Sequence, residues 1–383
     1  MDIPNGRLAR RWRALAVLAA LVTSLFASGS AVADTLLDDF QDGNFWTPDT
    51  TLGWWDSDGS QVYQRTQVQD SAFASQVMRV IYNKSGYPWS FFAGSLSSSN
   101  PKRNFAVASG YDGNFNVNTV RVRVNSGTHE RALLKLADSV RAEKEVAYKV
   151  FGRSLDGLPL TVDFNYSKLY QQGGINLGQI GNLMLFMAPG STSALTSEKR
   201  LDDIQLVETA LLDDFETDGH LNLTWFDTCP GTPCTLYTRQ FPKFYSPPTT
   251  VSSDFAADQF GVMRVTYNKQ QSPNYRFGAT VAPAWSNFKA YRKLTFWVRN
   301  KSAPDRLRIG IQLENVSYNK SRVKYFDITS PEWTKVECDL ADLFFNSTAV
   351  FDIQAVRNIL FSIDSTHSGQ GVFDLDEIML THS

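Results

Sequence analysis

Leu36-Leu-Asp-Asp-Phe40 recurs 175 residues later as Leu211-Leu-Asp-Asp-Phe215. Val77-Met-Arg-Val-Ile-Tyr-Asn-Lys84 recurs as Val262-Met-Arg-Val-Thr-Tyr-Asn-Lys269. A third motif closes each copy. It reads Leu201-Asp-Asp-Ile-Gln-Leu206 in the first copy and Leu375-Asp-Glu-Ile-Met-Leu380 in the second. Because the blocks keep the same order at nearly the same spacing, they predict one module present twice.

Short segments rich in β-branched and aromatic residues run through both copies. Val120-Arg-Val-Arg-Val124 and its counterpart Leu294-Thr-Phe-Trp-Val298 are examples, and turn-forming clusters such as Ser302-Ala-Pro304 separate such segments. About 175 residues of spaced strands per copy suit a β-sandwich or jelly roll. The sequence therefore predicts an all-β chain with one domain at 34–208 and a second at 209–383.

The repeated motifs resemble those of a known family. The opening Leu-Leu-Asp-Asp-Phe, the Met-Arg-Val-x-Tyr-Asn strand, the closing Asp-(Asp/Glu)-Ile-x-Leu and Glu332-Trp-Thr-Lys-Val-Glu337 are similar to the galactose-binding-like jelly-roll superfamily. The similarity is greatest to the carbohydrate-binding modules of bacterial polysaccharide hydrolases. It implies two tandem β-sandwich domains with polysaccharide as the partner.

The N-terminus predicts export. Four arginines between Arg7 and Arg13 precede the apolar run Ala14–Phe26, and Ala31-Val-Ala33 follows. This is the order of a secretion signal cleaved near Ala33, which implies a secreted or periplasmic protein. The apolar run is shorter than the ~20 residues of a membrane-spanning helix, so we expect no membrane span. Loss of residues 1–33 changes the formal net charge from −2 to −5, which argues against nucleic acid as a partner.

The cysteine pattern agrees with an oxidising compartment. Cys229 and Cys234 flank the turn-forming Pro-Gly-Thr-Pro, and we expect them to form a disulfide. The alternative, half of a metal site, would need two more ligands nearby, and none is evident.

The resemblance also implies structural calcium, because the acidic first and last strands of such a module lie side by side. Hard oxygen ligands suit calcium. The candidate ligands are Asp39, Gln41 and Asp202 in the first copy and Asp214, Glu216 and Asp376 in the second. Gln41 lacks the charge of Glu216, so the first site is expected to be weaker or empty. The alternative is that these carboxylates are solvated strand ends.

Aromatic residues make up 13% of the chain and supply the candidate sugar contacts. The apolar face of a sugar ring stacks on Trp or Tyr, and its hydroxyls need polar partners. The candidates lie in turn-rich, polar surroundings. They are Trp54, Trp55, Tyr87 and Trp89 in the first copy and Tyr275, Arg276, Trp285 and Tyr318 in the second. The alternative for each ring is a plug over the edge of a sandwich.

No catalytic residue is predicted. Glu337, Asp339 and Asp342 resemble the acidic strand of laminarinase-like glycosidases, but that pattern ends in Glu and this one in Asp342. Three functions remain. The first is an exported, non-catalytic polysaccharide-binding protein that acts beside a separate polysaccharide-degrading enzyme. The second is a glycoside hydrolase or lyase with its site on or between the sandwiches, and the third is a surface structural protein without a sugar ligand.

Overall fold

The computed structural model describes residues 35–43, 45–46, 51–59, 61–84, 86–87, 89–106, 118–125, 130–167, 169, 173–189, 196–215, 222–228, 237–240, 262–268, 276–302, 306–344, 351–364 and 370–382. Within these residues the strands form four sheets. The sheets pack as two sandwiches, because the apolar residues of each sandwich form one core cluster. The predicted all-β fold with two jelly-roll sandwiches is confirmed.

The first sandwich consists of sheet A, in the order β10-β6-β12-β4-β3 with β1 on β12, and sheet B, in the order β2-β5-β11-β7-β8. Its strands are β1 (Thr35–Asp38), β2 (Gly53–Asp56), β3 (Tyr63–Asp70), β4 (Ser75–Asn83), β5 (Phe92–Ser95), β6 (Thr119–Val124), β7 (Glu130–Asp138), β8 (Glu143–Phe151), β10 (Leu160–Asn165), β11 (Ile180–Met187) and β12 (Thr196–Val207). The short strand β9 (Arg153–Ser154) leaves this sandwich and pairs with the second one.

The second sandwich consists of sheet C, in the order β15-β16-β23-β18-β21-β9 with β13 on β23, and sheet D, in the order β14-β17-β22-β19-β20. Its strands are β13 (Thr209–Asp213), β14 (Leu223–Thr228), β15 (Tyr237–Gln240), β16 (Met263–Asn268), β17 (Arg276–Val281), β18 (Lys293–Asn300), β19 (Leu307–Asn315), β20 (Lys324–Ile328), β21 (Thr334–Asp339), β22 (Val356–Ile363) and β23 (Gln370–Thr381). The helix α1 (Leu340–Phe344) follows β21. No helix in the described ranges is long and apolar enough to cross a bilayer.

The repeated Leu-Leu-Asp-Asp-Phe motif has the same structural role in both sandwiches. Asp38 accepts hydrogen bonds from the Phe40 amide (2.9 Å) and from the Trp54 indole N–H (2.8 Å). Asp213 does the same for Phe215 (3.0 Å) and for the indole of Trp225 (3.0 Å). The motif thus fastens the first strand to a core tryptophan. Burial raises the pKa of Asp38 to about 6, even though the Trp54 and Phe40 hydrogen bonds oppose the shift.

The two sandwiches share a buried interface. On β18, Leu294, Phe296 and Val298 belong to the core of the second domain. Since side chains alternate along a strand, Trp297 lies on the outer face of sheet C. There Trp297 and Trp333 pack into the core cluster of the first domain. β9 adds to β21 in parallel, and the Arg153 amide donates to the Trp333 carbonyl (3.0 Å).

Buried ion pairs tie the same interface. Asp163 of the first domain accepts from Arg121 (2.7 Å) and from Lys335 of the second domain (3.2 Å). Lys149 of the first domain pairs with Glu377 of the second, and both side chains are buried. Burial alone would raise the pKa of Asp163, but Arg121 and Lys335 hold that pKa well below its usual range. A buried charge is stable only when it is paired in this way.

Candidate functional site

A row of hydrogen-bonded side chains crosses the outer face of sheet D, the face turned away from the core. Thr280 on β17 donates its hydroxyl to Asn358 on β22 (2.9 Å). The Asn358 amide donates to Glu314 on β19 (2.7 Å), and Lys320 pairs with Glu314 (3.5 Å). The strand register places Thr280, Asn358 and Glu314 directly opposite one another. The face therefore presents a hydroxyl, an amide and a carboxylate in line.

Gln312 lies beside this row with one acceptor unused. Its side-chain amide donates to the Ser321 carbonyl (2.6 Å), and the residue is only 8% exposed. Its Oε1 atom is buried and has no hydrogen-bond partner within the described structure. A buried acceptor without a donor destabilises the fold, and its burial keeps a ligand from reaching it.

A glycine lets neighbouring side chains pack directly on β19. A Cβ atom on Gly310 would lie 2.6 Å from the Ser362 hydroxyl and 2.7 Å from the Tyr325 ring, closer than such contacts occur. Gly310 is on β19 two residues before Gln312, so it lies on the same face. Ser362 and Tyr325 therefore fill the space over Gly310, and the glycine fixes the position of the Tyr325 ring beside the polar row.

Two tyrosines stacked with arginines flank the row. The Arg308 guanidinium lies over the Tyr325 ring (5.1 Å to the centroid), and the Arg357 guanidinium lies over Tyr318 (4.7 Å). Tyr318 is 65% exposed in the turn after β19. Arg276, at the start of β17, is half-buried on the same face as Thr280. Thus the predicted residues Tyr318 and Arg276 border the polar row.

The outer face of sheet B in the first domain is related but more apolar, and its central residues, among them Leu133 and Met184, are buried beneath Trp55 and Phe91. Ser95 donates to Asn182 (2.5 Å) at the positions that Thr280 and Asn358 occupy in the second domain. The indole of Trp55 donates to Ser95 (2.6 Å), and its ring packs edge-on against Phe91 (5.5 Å). Phe91 in turn contacts Phe186 (4.9 Å). The predicted residue Trp55 therefore lies on this face, partly buried.

Tyr87 and Trp89 are exposed on the loop that leads to Phe91, at 44% and 47%. Two buried side chains anchor this loop at the Ser90 carbonyl. The Tyr63 hydroxyl (2.7 Å) and the buried Lys84 ammonium (3.4 Å) both donate to the Ser90 carbonyl. Burial lowers the pKa of Lys84 to about 8. The loop leads directly into β5, the strand of sheet B that carries Ser95.

Not every predicted sugar contact lies on a surface. Trp54 is 0% exposed and bonded to Asp38, so a sugar cannot reach it, and its assignment as a sugar contact is wrong. Trp285 is half-buried against the core of the second domain. Tyr275, the cysteines Cys229 and Cys234, and Glu216 lie outside the described residues. The disulfide therefore stays a prediction.

The residues of the first predicted calcium site have other partners. The Gln41 side-chain amide donates to the carbonyls of Asp39 (2.7 Å) and Gln76 (2.8 Å), where a cation would need free oxygens. Asp202 accepts from Ser75 (2.6 Å) and lies 3.8 Å from Arg123, although its Oδ1 is buried without a partner. Calcium takes 6–8 oxygen ligands. Calcium in the first domain stays a prediction.

The second calcium site lacks one candidate ligand, because Glu216 lies outside the described residues. Asp376 is fully buried opposite Trp297 on the outer face of sheet C, and its carboxylate accepts from the Glu377 amide (2.8 Å). Asp214 follows β13 directly. Within the described residues no cluster of three or more His, Cys, Asp or Glu side chains could hold a metal. Calcium in the second domain stays a prediction.

The acidic strand that resembles a glycosidase motif lacks the features of a catalytic pair. Glu337 pairs with Lys293 (2.7 Å) and Lys335 (3.4 Å). Burial alone would raise the pKa of Glu337, but these lysines bring it below its usual value. A general acid needs a raised pKa. Asp342 is engaged with Lys324 (3.0 Å).

A groove of about 230 Å³ crosses the outer face of sheet A and is also charged. Arg200 on its wall pairs with Asp70 (2.5 Å) and Glu198 (3.2 Å). Both carboxyl groups have pKa values below their usual range, because Arg200, and for Glu198 also Arg79, outweighs the effect of burial. The groove thus holds compensated ion pairs rather than an acid and a base.

The sequence interpretation missed Gln312, Glu314, Asn358 and Tyr325. They lie within strands, where an outward polar residue looks like an ordinary solvent-facing position. The available signal was the repeat itself, since Ser95 and Asn182 are matched by Thr280 and Asn358. The interpretation also passed over Trp46, which is 70% exposed.

No protein-family model matches the sequence, and no curated protein matches it. Among solved structures, the chain is similar to the family 11 carbohydrate-binding module of Clostridium thermocellum in complex with a β-1,3-1,4-mixed-linked tetrasaccharide. The identity is 15% and the TM-score 0.31, over 46% of this chain and 96% of that one.

Two further solved structures show the same kind of likeness. One is a tandem of two family 22 carbohydrate-binding modules from Paenibacillus barcinonensis, at 14% identity and TM-score 0.29, over 93% of this chain and 100% of that one. The other is an exo-β-agarase, at 12% identity and TM-score 0.32, over 45% of this chain and 25% of that one. The chain's own strand pairing establishes the two sandwiches.

Proposed function

We propose that the protein binds neutral polysaccharide without catalysing its cleavage, and that the outer face of sheet D is a binding site. The hydrogen-bonded row of Thr280, Asn358 and Glu314 carries this proposal, because a hydroxyl, an amide and a carboxylate in line can each bond to a sugar hydroxyl. Tyr318 and Tyr325 at the border offer ring faces for stacking.

The charges on this face favour a neutral glycan over an acidic one. Arg308 is paired with Asp364 (2.8 Å) and Asp327 (3.5 Å), and Lys320 is paired with Glu314. These two cations are compensated within the protein, and the Arg357 guanidinium is stacked on the Tyr318 ring. An anionic polysaccharide would have to compete for them, whereas a neutral chain needs only hydrogen bonds and stacking.

Affinity electrophoresis tests the proposal across gels containing mixed-linkage β-1,3-1,4-glucan, hydroxyethylcellulose, xylan, agarose and an acidic pectate. We expect retardation on at least one neutral glycan and little on pectate. Asn358→Ala should weaken retardation, because it breaks the polar row, whereas Gln64→Ala, an exposed position on sheet A, should not. Migration unchanged by every glycan would contradict the proposed function.

We also propose that the protein is exported. The N-terminal signal pattern supports cleavage near Ala33 and export from the cytoplasm. Outside the cytoplasm the protein would meet glycan chains and act beside a separate polysaccharide-degrading enzyme.

Calcium, if bound by Asp214, Glu216 and Asp376, would stabilise only the second domain. Chelation with EDTA should then lower the melting temperature of wild type and leave that of Glu216→Gln unchanged. Equal melting temperatures of wild type with and without EDTA would contradict calcium binding.

A further inference from the structure

The two outer faces share a hydroxyl–amide pair but point in different directions. Ser95–Asn182 on sheet B corresponds to Thr280–Asn358 on sheet D. We propose that the protein is a rigid cross-linker that holds one polysaccharide chain on each face and so joins two chains. This inference rests on the proposed function and extends it to a second site, formed by Tyr87, Trp89 and the sheet B face.

The outer face of sheet D points away from the first domain. Within the second sandwich, sheet D packs on sheet C through the common core. The other side of sheet C is covered by the first domain, since Trp297 packs into its core and Lys335 reaches its Asp163. Sheet C therefore lies between the first domain and sheet D. The outer face of sheet D is thus on the side of the molecule opposite the first domain.

The first domain meets sheet C with its edge rather than with a face. Lys149 on β8, Arg153 on β9 and Asp163 on β10 contact the second domain, and β8 and β10 are the edge strands of sheets B and A. Thr119 on β6 adds a contact to Thr209, where the second domain begins. A sheet that abuts a surface with its edge turns its faces sideways. The sheet B face thus lies on a flank of the molecule, at a large angle to the sheet D face.

One extended glycan cannot lie flat on two faces that are turned in this way. The arrangement is also fixed, because β12 ends at Val207 and β13 begins at Thr209, which leaves no flexible linker. The buried Asp163–Lys335 and Lys149–Glu377 pairs hold the domains together. Two sites at fixed divergent angles favour binding to two chains over tighter binding to one.

A bridging assay tests this with the full chain. The probe is the neutral glycan that retards the protein most, immobilised on beads, with the same glycan in soluble, fluorescent form as the second partner. Protein is loaded on the beads, and captured fluorescence is measured. The variants are Tyr87→Ala/Trp89→Ala for the first face and Thr280→Ala/Asn358→Ala for the second, with Gln64→Ala as control.

We expect wild type and Gln64→Ala to capture the soluble glycan at least tenfold better than either face variant. Each face variant should still bind the beads through its intact face. If wild type loads the beads but captures no more than the face variants, cross-linking is wrong while the proposed function stands. If a face variant captures as well as wild type, two copies rather than two faces form the bridge, and the proposal is wrong. If wild type fails to load the beads, both proposals fail.

Discussion

At the residue scale, the Asp38–Trp54 pair shows why an exposed-looking motif can belong to a core. The sequence Trp54-Trp55 in a polar, turn-rich stretch suggested two sugar contacts. Alternation in β2 sends one ring to each side of sheet B, so Trp54 enters the core and Trp55 reaches the outer face. The face of the sheet on which a tryptophan lies thus decides whether it can contact a sugar or fills the core. The composition of the surrounding sequence does not reveal that face.

Trp54→Phe tests the core role. The change keeps a ring but removes the N–H that bonds the buried Asp38 carboxylate. Losing one partner of a buried acceptor costs about 1–3 kcal/mol. We expect urea denaturation to show that loss, and Trp225→Phe to show a similar one, with glycan retardation unchanged. Lost retardation at unchanged stability would restore Trp54 as a sugar contact.

At the element scale, strand patterns predicted most of the sandwich but little of the site. The repeated blocks correspond to β1, β4, β12, β13, β16 and β23, so the first, fourth and last strands of each sandwich could be read from sequence. The site instead depends on how β17, β22 and β19 come into register, which brings Thr280, Asn358 and Glu314 together. Register depends on long-range pairing, and a single sequence does not specify it.

Gly310→Ala tests the packing of the Tyr325 ring on sheet D. Its Cβ would meet Ser362 and Tyr325, so the methyl group would displace that ring from its place beside the polar row. We expect weaker glycan retardation together with a loss of stability. Gly181→Ala is the matched control on β11, because its Cβ would meet no atom closer than 3.6 Å. Equal retardation of Gly310→Ala and wild type would show that the glycan does not contact the Tyr325 ring.

At the scale of the whole molecule, each domain depends on the other. The repeat predicted two similar units, but it did not predict that Trp297 and Trp333 of the second would close the core of the first. The repeat-equivalent positions in the first domain are Arg123 and Pro159, so the corresponding face of sheet A is polar. Differences between repeats, rather than their shared motifs, determine how the domains join.

Acid should weaken this joint through Asp163. Since Arg121 and Lys335 hold the folded pKa of Asp163 below its unfolded value of about 3.9, its stabilisation is complete above that value. It is lost as the pH falls through the folded pKa. We expect the urea midpoint of wild type to drop between pH 5 and pH 2.5.

Asp163→Asn isolates this contribution. At pH 7 it should cost about 3–5 kcal/mol, because Arg121 and Lys335 lose their buried partner, and its midpoint should fall less with acid. Asp327→Asn, at an exposed ion pair, should change the free energy of unfolding by less than about 1 kcal/mol. Identical pH dependence in wild type and Asp163→Asn would contradict the interface described above.

The central claim is that the outer face of sheet D binds neutral glycan. Calorimetric titration of Tyr87→Ala/Trp89→Ala with an oligosaccharide of the retarding glycan tests it most directly, because that variant leaves sheet D as the binding face. Adding Asn358→Ala should raise the dissociation constant about tenfold or more, equivalent to ~1.4 kcal/mol, and adding Gln64→Ala should change nothing. An affinity unaffected by Asn358→Ala would contradict glycan binding at this face.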